Sequence, residues 1–491
     1  MFTKIKKRMA LTVTVTLLLL ISCPALAQQR GPTTAWIPDA ELGKWTQFKG
    51  KGIRLIFEGE DSPPAAAVAE LLPQFEELTG IKIELTRTML STLVTKLLLD
   101  FTTRAGKIQV FHADPYQTLA PLDGHFVDLR KFMEDPSLPS LPLGREDFTE
   151  MNWIGDAYMI DDERVLAIPF SGCQYGLLYR KDVFKKYKDM FVTEMGYDWT
   201  PGPNITWDQY YEIAKWINEK AREGVITEVE WGTGHMAKMY DSLMCDFSNV
   251  LAAFGGDYFK GHPTVGTYGT DLPGRCTLNE PEAIEAARFY KKLIDIAAAG
   301  STSWDWGGLH DAFAAGKIAL APQWFDYAPW CEDPATSKVY GKVGYTILPK
   351  GPAGRSFNIW GGYGLGINRY ASEMEQRAAW LFMVWATSPA VQIVGLPLGY
   401  MPPTRYSVYK DPAMEEKIIP PLVEAMRATE KAYEPGNIYL RPKVPQWLEC
   451  NSVIFTGLSK MLAGVKSPEE AMKDTAEQID KITGWAEIAP R

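Results

Sequence analysis

At 491 residues the chain is too long for one ordinary hydrophobic core and predicts two lobes. Its formal net charge of −9 argues against nucleic acid and anionic membrane surfaces as partners. The 5 histidines show no metal-ligand spacing and the 6 cysteines no Cys-x-x-Cys pair, so no metal or redox motif is present.

The first 27 residues read as an export signal. Lys4, Lys6, Lys7 and Arg8 form a basic start, Leu11 to Ile21 is apolar but short, and Ala25-Leu26-Ala27 is a small-x-small cleavage site. A rival reading lipidates Cys23 after Leu20-Ile21-Ser22, but Pro24 and Ala25-Leu26-Ala27 complete a cleavage region, so cleavage after Ala27 and a periplasmic location are expected. Five cysteines then remain, Cys173, Cys245, Cys276, Cys331 and Cys450. Their pairing is not legible, although the odd count requires at least one free thiol.

Residues 52–57 (GIRLIF) predict a first strand, and Pro63-Pro64 then open a helix whose face is Val68, Leu71, Leu72, Phe75 and Leu78, stopped by Gly80. A second strand (81–85), a second helix (90–104) and a third strand (108–111) follow. This alternation predicts a parallel sheet covered on both faces, with ligands beyond the carboxyl ends of its strands. The loops 58–62, 86–91 and 112–116 land there.

Further strands are expected at 166–170, 175–179, 318–321 and 345–348. Helices are expected after Thr206, which pairs with Gln209 as a capping box, over 281–299, at 311–317, and over 372–387. Ser467-Pro468-Glu469-Glu470 opens a final helix.

Residues 357–368, FNIWGGYGLGIN, place Trp360 and Tyr363 among four glycines, suited to strand packing and close backbone approach. No Gly-x-Ser-x-Gly elbow, P-loop or His-Glu-x-x-His occurs, so no catalytic residue, cofactor or metal is assigned.

The order of several short segments resembles the family 1 extracellular solute-binding proteins of ABC importers, the maltose-binding-protein-like, carbohydrate-binding kind. They are Leu178-Tyr179-Arg180-Lys181-Asp182, Thr206-Trp207-Asp208-Gln209, Phe254-Gly255-Gly256, Asn279-Glu280-Pro281, Phe313 to Leu320, Leu348 to Pro352, Gly361 to Ile367 and Gly399 to Arg405. The resemblance implies an α/β fold of two lobes, each a mainly parallel sheet flanked by helices, with the ligand between them. The N-terminal lobe would comprise 28–168 plus 350–401 and the C-terminal lobe 169–349 plus 402–491. Crossings are expected near 168–171, 348–351 and 401–404, and the lobes would close by hinge motion.

The resemblance further implies a monomer that delivers a sugar or polyol to ABC permease subunits served by an ATPase, with no nucleic-acid partner and no catalysis. Trp324 matches a position where the family stacks a Trp on sugar, Asp114 a strand-end position the family uses, and Tyr175 a frequent contact. Trp360, Gly361 and Tyr363 sit where the chain re-enters the first lobe. Glu58, Glu60 and Asp61 follow strand one, and one of them is expected to face the cleft; Asp326 follows Trp324, and Trp304 belongs to an aromatic–acidic cluster with Asp305 and Trp306.

Arg405 reads instead as a hinge salt bridge. Acids and aromatics without a basic cluster point to a neutral polyhydroxy ligand. The alternatives are an anionic sugar or glycerol phosphate on the same fold, a secreted enzyme such as a glycosidase, and a tethered chemoreceptor adaptor.

Overall fold

Eleven strands organise the protein, seen in a computed structural model that describes residues 30–158, 164–262 and 274–485. The export signal and Cys23 lie outside the described residues. The strands are β1 (Arg54–Glu60), β2 (Lys82–Thr88), β3 (Val110–Ala113), β4 (Ala167–Ser171), β5 (Tyr175–Arg180), β6 (Trp231–Thr233), β7 (Ile318–Trp324), β8 (Val343–Thr346), β9 (Asn358–Trp360), β10 (Tyr363–Ile367) and β11 (Ile438–Leu440). They form a five-stranded sheet ordered β2-β1-β3-β10-β4, a four-stranded sheet ordered β6-β7-β5-β8, and a separate β11-β9 pair.

Strands β1, β2 and β3 pair in parallel, as the alternating pattern requires, but β10 runs antiparallel to both β3 and β4. In the second sheet β6 and β7 are parallel while β5 is antiparallel to β7 and β8. The exceptions have one cause. Strands β5 and β10 each start where the chain has just passed from the other sheet, so they begin at the shared edge and run away from it. Strands β1, β3 and β7 run toward that edge.

The helices obey their local signals. The helix Pro63–Thr79 starts on two prolines and ends at Gly80, which is left-handed at φ 72° and donates its N–H to Glu76 O. Thr206 with Gln209, Ser372 with Glu375, and Ser467 with Glu470 each form a reciprocal capping box. The helix Glu373–Ala386 buries Phe382 against Phe57 and Phe75, at centroid distances of 5.3 and 5.6 Å. No single described helix is long and apolar enough to cross a membrane. Cys173, Cys245, Cys276, Cys331 and Cys450 are all buried free thiols.

The segments between the sheets lock onto one another. Tyr400 donates its hydroxyl to Phe170 O (2.7 Å), Gly172 N–H to Pro402 O (3.0 Å), and Thr404 Oγ1 to Pro169 O (3.3 Å). Arg405 closes this cluster with no exposed surface. It donates to Thr387 O (2.5 Å), Pro142 O (2.9 Å) and Asp147 Oδ2 (3.1 Å), and its guanidinium lies 3.8 Å from the Phe148 ring centre. It is thus the salt-bridge residue the sequence suggests. Burial pulls its pKa down to about 10, against the pull of Asp147.

Arg405→Ala removes the cation from buried Asp147, which keeps only the Ser407 donors, and is expected to cost about 3–5 kcal/mol in denaturant unfolding. A loss of under about 1 kcal/mol would show the pair to be dispensable.

Candidate ligand cavity

The cavity forms where strand ends and helix starts meet. Glu60, Asp61 and Ser62 lie at the end of β1 and Asp114 just past β3. Trp324 ends β7 with Asp326 and Tyr327 in the turn after it, and Gly361 precedes Tyr363, which begins β10. Leu90, Asp241 and Trp306 add helix starts, and Cys173, Cys245 and Arg441 complete the lining around about 480 Å³ of atom-free space. Through Glu60, Asp61, Trp306 and Tyr327 it opens onto a wider groove of about 1300 Å³ that also presents Trp330, Asp305 and Asp311.

Six of the expected residues therefore meet in one place: Trp324, Gly361, Tyr363, Asp114, Asp61 and Asp326. Tyr363 donates to Ser62 Oγ (2.7 Å) and is stacked on the His112 ring, with centroids 3.3 Å apart. The Glu60 backbone N–H donates to His112 Nδ1 (3.2 Å). That leaves the proton of neutral His112 on Nε2, 3.8 Å from Glu60 Oε2. Burial holds the His112 pKa well below its usual value, consistent with the neutral ring.

Asp114 combines two roles, since its Oδ1 accepts the N–H groups of Tyr116 (2.9 Å) and Gln117 (2.6 Å) while the residue lines the cavity. Burial raises its carboxyl to about 6, tempered by Arg441. Burial likewise raises Asp326 to about 7, and its Oδ1 accepts no hydrogen bond.

Four expected residues lie outside the lining. Trp360 is fully buried, donates to Asn152 Oδ1 (3.2 Å) and packs with Met151, Ile438 and Leu440. The reason is topological: β9 pairs with β11, away from both main sheets, and that pairing turns the indole into a separate core. Glu58 is held one pleat short of the strand end by Thr86, Thr88 and Lys96, so only residues 60–62 clear the sheet.

Tyr175 is buried beneath the cavity. Its hydroxyl lies 2.8 Å from Asp246 Oδ1 and its ring packs edge-on to Trp324 at 4.8 Å. Trp304 packs over Gly234, Gly300 and Gly308, and Trp306 takes the lining position instead.

The two glycines after Trp360 are required by packing, and Gly361 lines the cavity as well. A Cβ at Gly361 would stand 2.5 Å from Trp324 Cη2, and one at Gly362 2.3 Å from Trp360 Cζ2 and 2.6 Å from Ser171 O.

The residue that sequence reasoning missed is Arg441. It is 4 % exposed, lies 4.0 Å over the Tyr116 ring and 5.9 Å from that of Trp324, and donates to Cys245 Sγ (3.0 Å); its Nε has no partner. Asp241 was missed with it, and is held by Asn451 (2.5 Å) at the start of the helix Asp241–Ala253. Both come from segments with no ligand-type signal of their own. The one available hint was a charged residue directly after the apolar run Ile438–Leu440.

Trp360→Ala is expected to lower stability by about 3–5 kcal/mol, read by chemical denaturation. Asp326, with its pKa raised on folding, contributes stability that is complete below the unfolded carboxylate range and is lost as pH rises through about 7. Asp326→Asn is therefore expected to raise the melting temperature relative to the parent more at pH 8 than at pH 5. An equal offset at both pH values would contradict this.

The family model of bacterial extracellular solute-binding proteins matches residues 59–393. A probable amino-acid ABC transporter periplasmic-binding protein of Sinorhizobium fredii is 23% identical over 461 residues, covering 92% of this chain and 93% of that protein. Maltose-bound MalE3 of T. maritima is 25% identical with a TM-score of 0.72, covering 88% of this chain and 100% of that one. A solute-binding protein of Agrobacterium radiobacter K84 in complex with ribitol shares the fold, with a TM-score of 0.73 at 23% identity, covering 88% and 99%.

Proposed function

This chain belongs to the bacterial extracellular solute-binding proteins, and we propose that it captures a sugar or polyol and delivers it to the permease of an ABC importer. The observation that carries this reading is the composition of the cavity wall. Flat faces of Trp306, Trp324 and Tyr363 stand beside buried carboxylates and one guanidinium, contributed by both sheets. Aromatic faces suit the C–H patches of a sugar ring, and carboxylate and guanidinium groups suit its hydroxyls. Solved relatives bind maltose and ribitol, which supports the class.

One cation among the lining residues, against Glu60, Asp61, Asp114, Asp241 and Asp326, disfavours a phosphorylated ligand. The lobes, 28–168 plus 350–401 and 169–349 plus 402–491, close about the three crossings to bury the ligand. The chain is exported, cleaved after Ala27, and acts as a monomer without catalysis.

Calorimetry on the exported chain against sugars, alditols, sugar phosphates and amino acids tests the reading. Saturable one-site binding of a sugar or alditol, with a change in Trp fluorescence and no product, is expected. Trp324→Ala is expected to weaken that binding by about 2 kcal/mol, roughly thirtyfold. Binding confined to sugar phosphates or amino acids, or release of reducing sugar from glycosides, overturns it.

A further inference from the structure

The cavity is electrostatically lopsided. Arg441 lies among Tyr116, Asp114 and Asp241 at one end. At the other end Glu60 and Asp326 have no cationic partner among the described residues: Glu60 faces neutral His112, and Asp326 has the Cys173 thiol. Asp61 differs, since Arg87 stands 3.6 Å from it in solvent. Asp326 is 6 % exposed, lines the cavity and has an Oδ1 that accepts nothing. An acceptor so placed incurs its full desolvation cost unless a ligand supplies a donor.

Two features separate an amine from other donors. Tyr363, Tyr327 and Trp306 line the cavity with Glu60 and Asp326, and their π-systems suit a cation, although His112 covers one face of Tyr363. The groove leading to it presents Asp305, Asp311 and Asp333 and no Lys or Arg, although Lys238 pairs with Asp305 at 2.8 Å. This acidic mouth draws cations inward. A metal ion fits poorly, because no three His, Cys, Asp or Glu side chains among the described residues are spaced to hold one.

We infer that the Glu60–Asp326 end of the cavity is a subsite for a protonated amine, so that the preferred ligand is an amino sugar or amino alditol. This rests on the polyhydroxy reading above and narrows it. Hydroxyls meet Arg441, Asp114 and Asp241, and the ammonium lies between Glu60 and Asp326. Burial, and then the charge of Asp326, hold the Glu60 carboxyl well above its usual pKa. A bound cation relieves both effects.

Matched pairs test the inference at neutral pH by calorimetry: D-glucitol against 1-amino-1-deoxy-D-glucitol, and D-glucose against D-glucosamine. In a pair that binds, the amine is expected to bind at least about tenfold more tightly. Asp326→Asn and Glu60→Gln are each expected to shrink that ratio at least about fivefold, with folding checked by melting temperature. If the neutral member of every binding pair is equal or better, the amine subsite is overturned and the polyhydroxy reading stands. If no member binds while another ligand class does, both fall. A ratio unchanged in both folded variants overturns the assignment to these two carboxyls.

Discussion

The placement of β10 is the constraint on which the rest of the site depends. This strand inserts between β3 and β4 from the edge that faces the second sheet, so its first residues must stay at the cavity. Its glycines make that insertion sterically possible. A Cβ at Gly364 would stand 2.8 Å from Ala167 Cβ, and one at Gly366 2.8 Å from the Phe111 ring. Gly361 extends the logic to the second sheet, because its bare backbone leaves room for the Trp324 indole at the end of β7. The two sheets are thus brought to one site by close packing of a glycine backbone on an aromatic ring.

Around this contact the protein keeps polar groups that a purely structural core would satisfy. Asp326 Oδ1 and Arg441 Nε are buried without partners. The deeper layer is bonded more fully: Asp246 is shared by Tyr175, His235 and Tyr290, each at 2.8 Å, under Trp324, although His235 Nε2 has no partner. The contrast separates support from recognition. The carboxylate beneath the aromatic wall is met by three protein partners, whereas Asp326 Oδ1 and Arg441 Nε at the cavity are left for something else to complete.

Local signals were legible where amphipathic periodicity or capping chemistry was strong. The helix 63–79 with its Gly80 stop, and the helix starts at Thr206 and Ser467, read directly from sequence. The helix Asp241–Ala253 went unread, and it buries its polar residues Asp241, Ser242, Asp246, Ser248 and Asn249 along with its apolar ones. The three-residue strand Ile438–Leu440 was too short to show alternation, and Arg441 went unnoticed with it. The antiparallel course of β5 and β10 was equally hidden, since strand direction is set by which edge the chain enters.

By itself the sequence determined the kind of protein, through its alternating strands and helices and a glycine–aromatic stretch after a proline break. Through the family resemblance and the loops that follow strands, it also named Trp324, Asp326, Asp114, Asp61, Gly361 and Tyr363, which line the cavity. Only the tertiary structure decided between Glu60 and Glu58, between Trp306 and Trp304, and between Trp324 and Trp360. Each pair is chemically alike. What separates its members is one pleat or one strand pairing, and those depend on neighbours brought in from distant parts of the chain. Arg441 belongs to the same class, since its solvation and partners exist only once the two sheets meet.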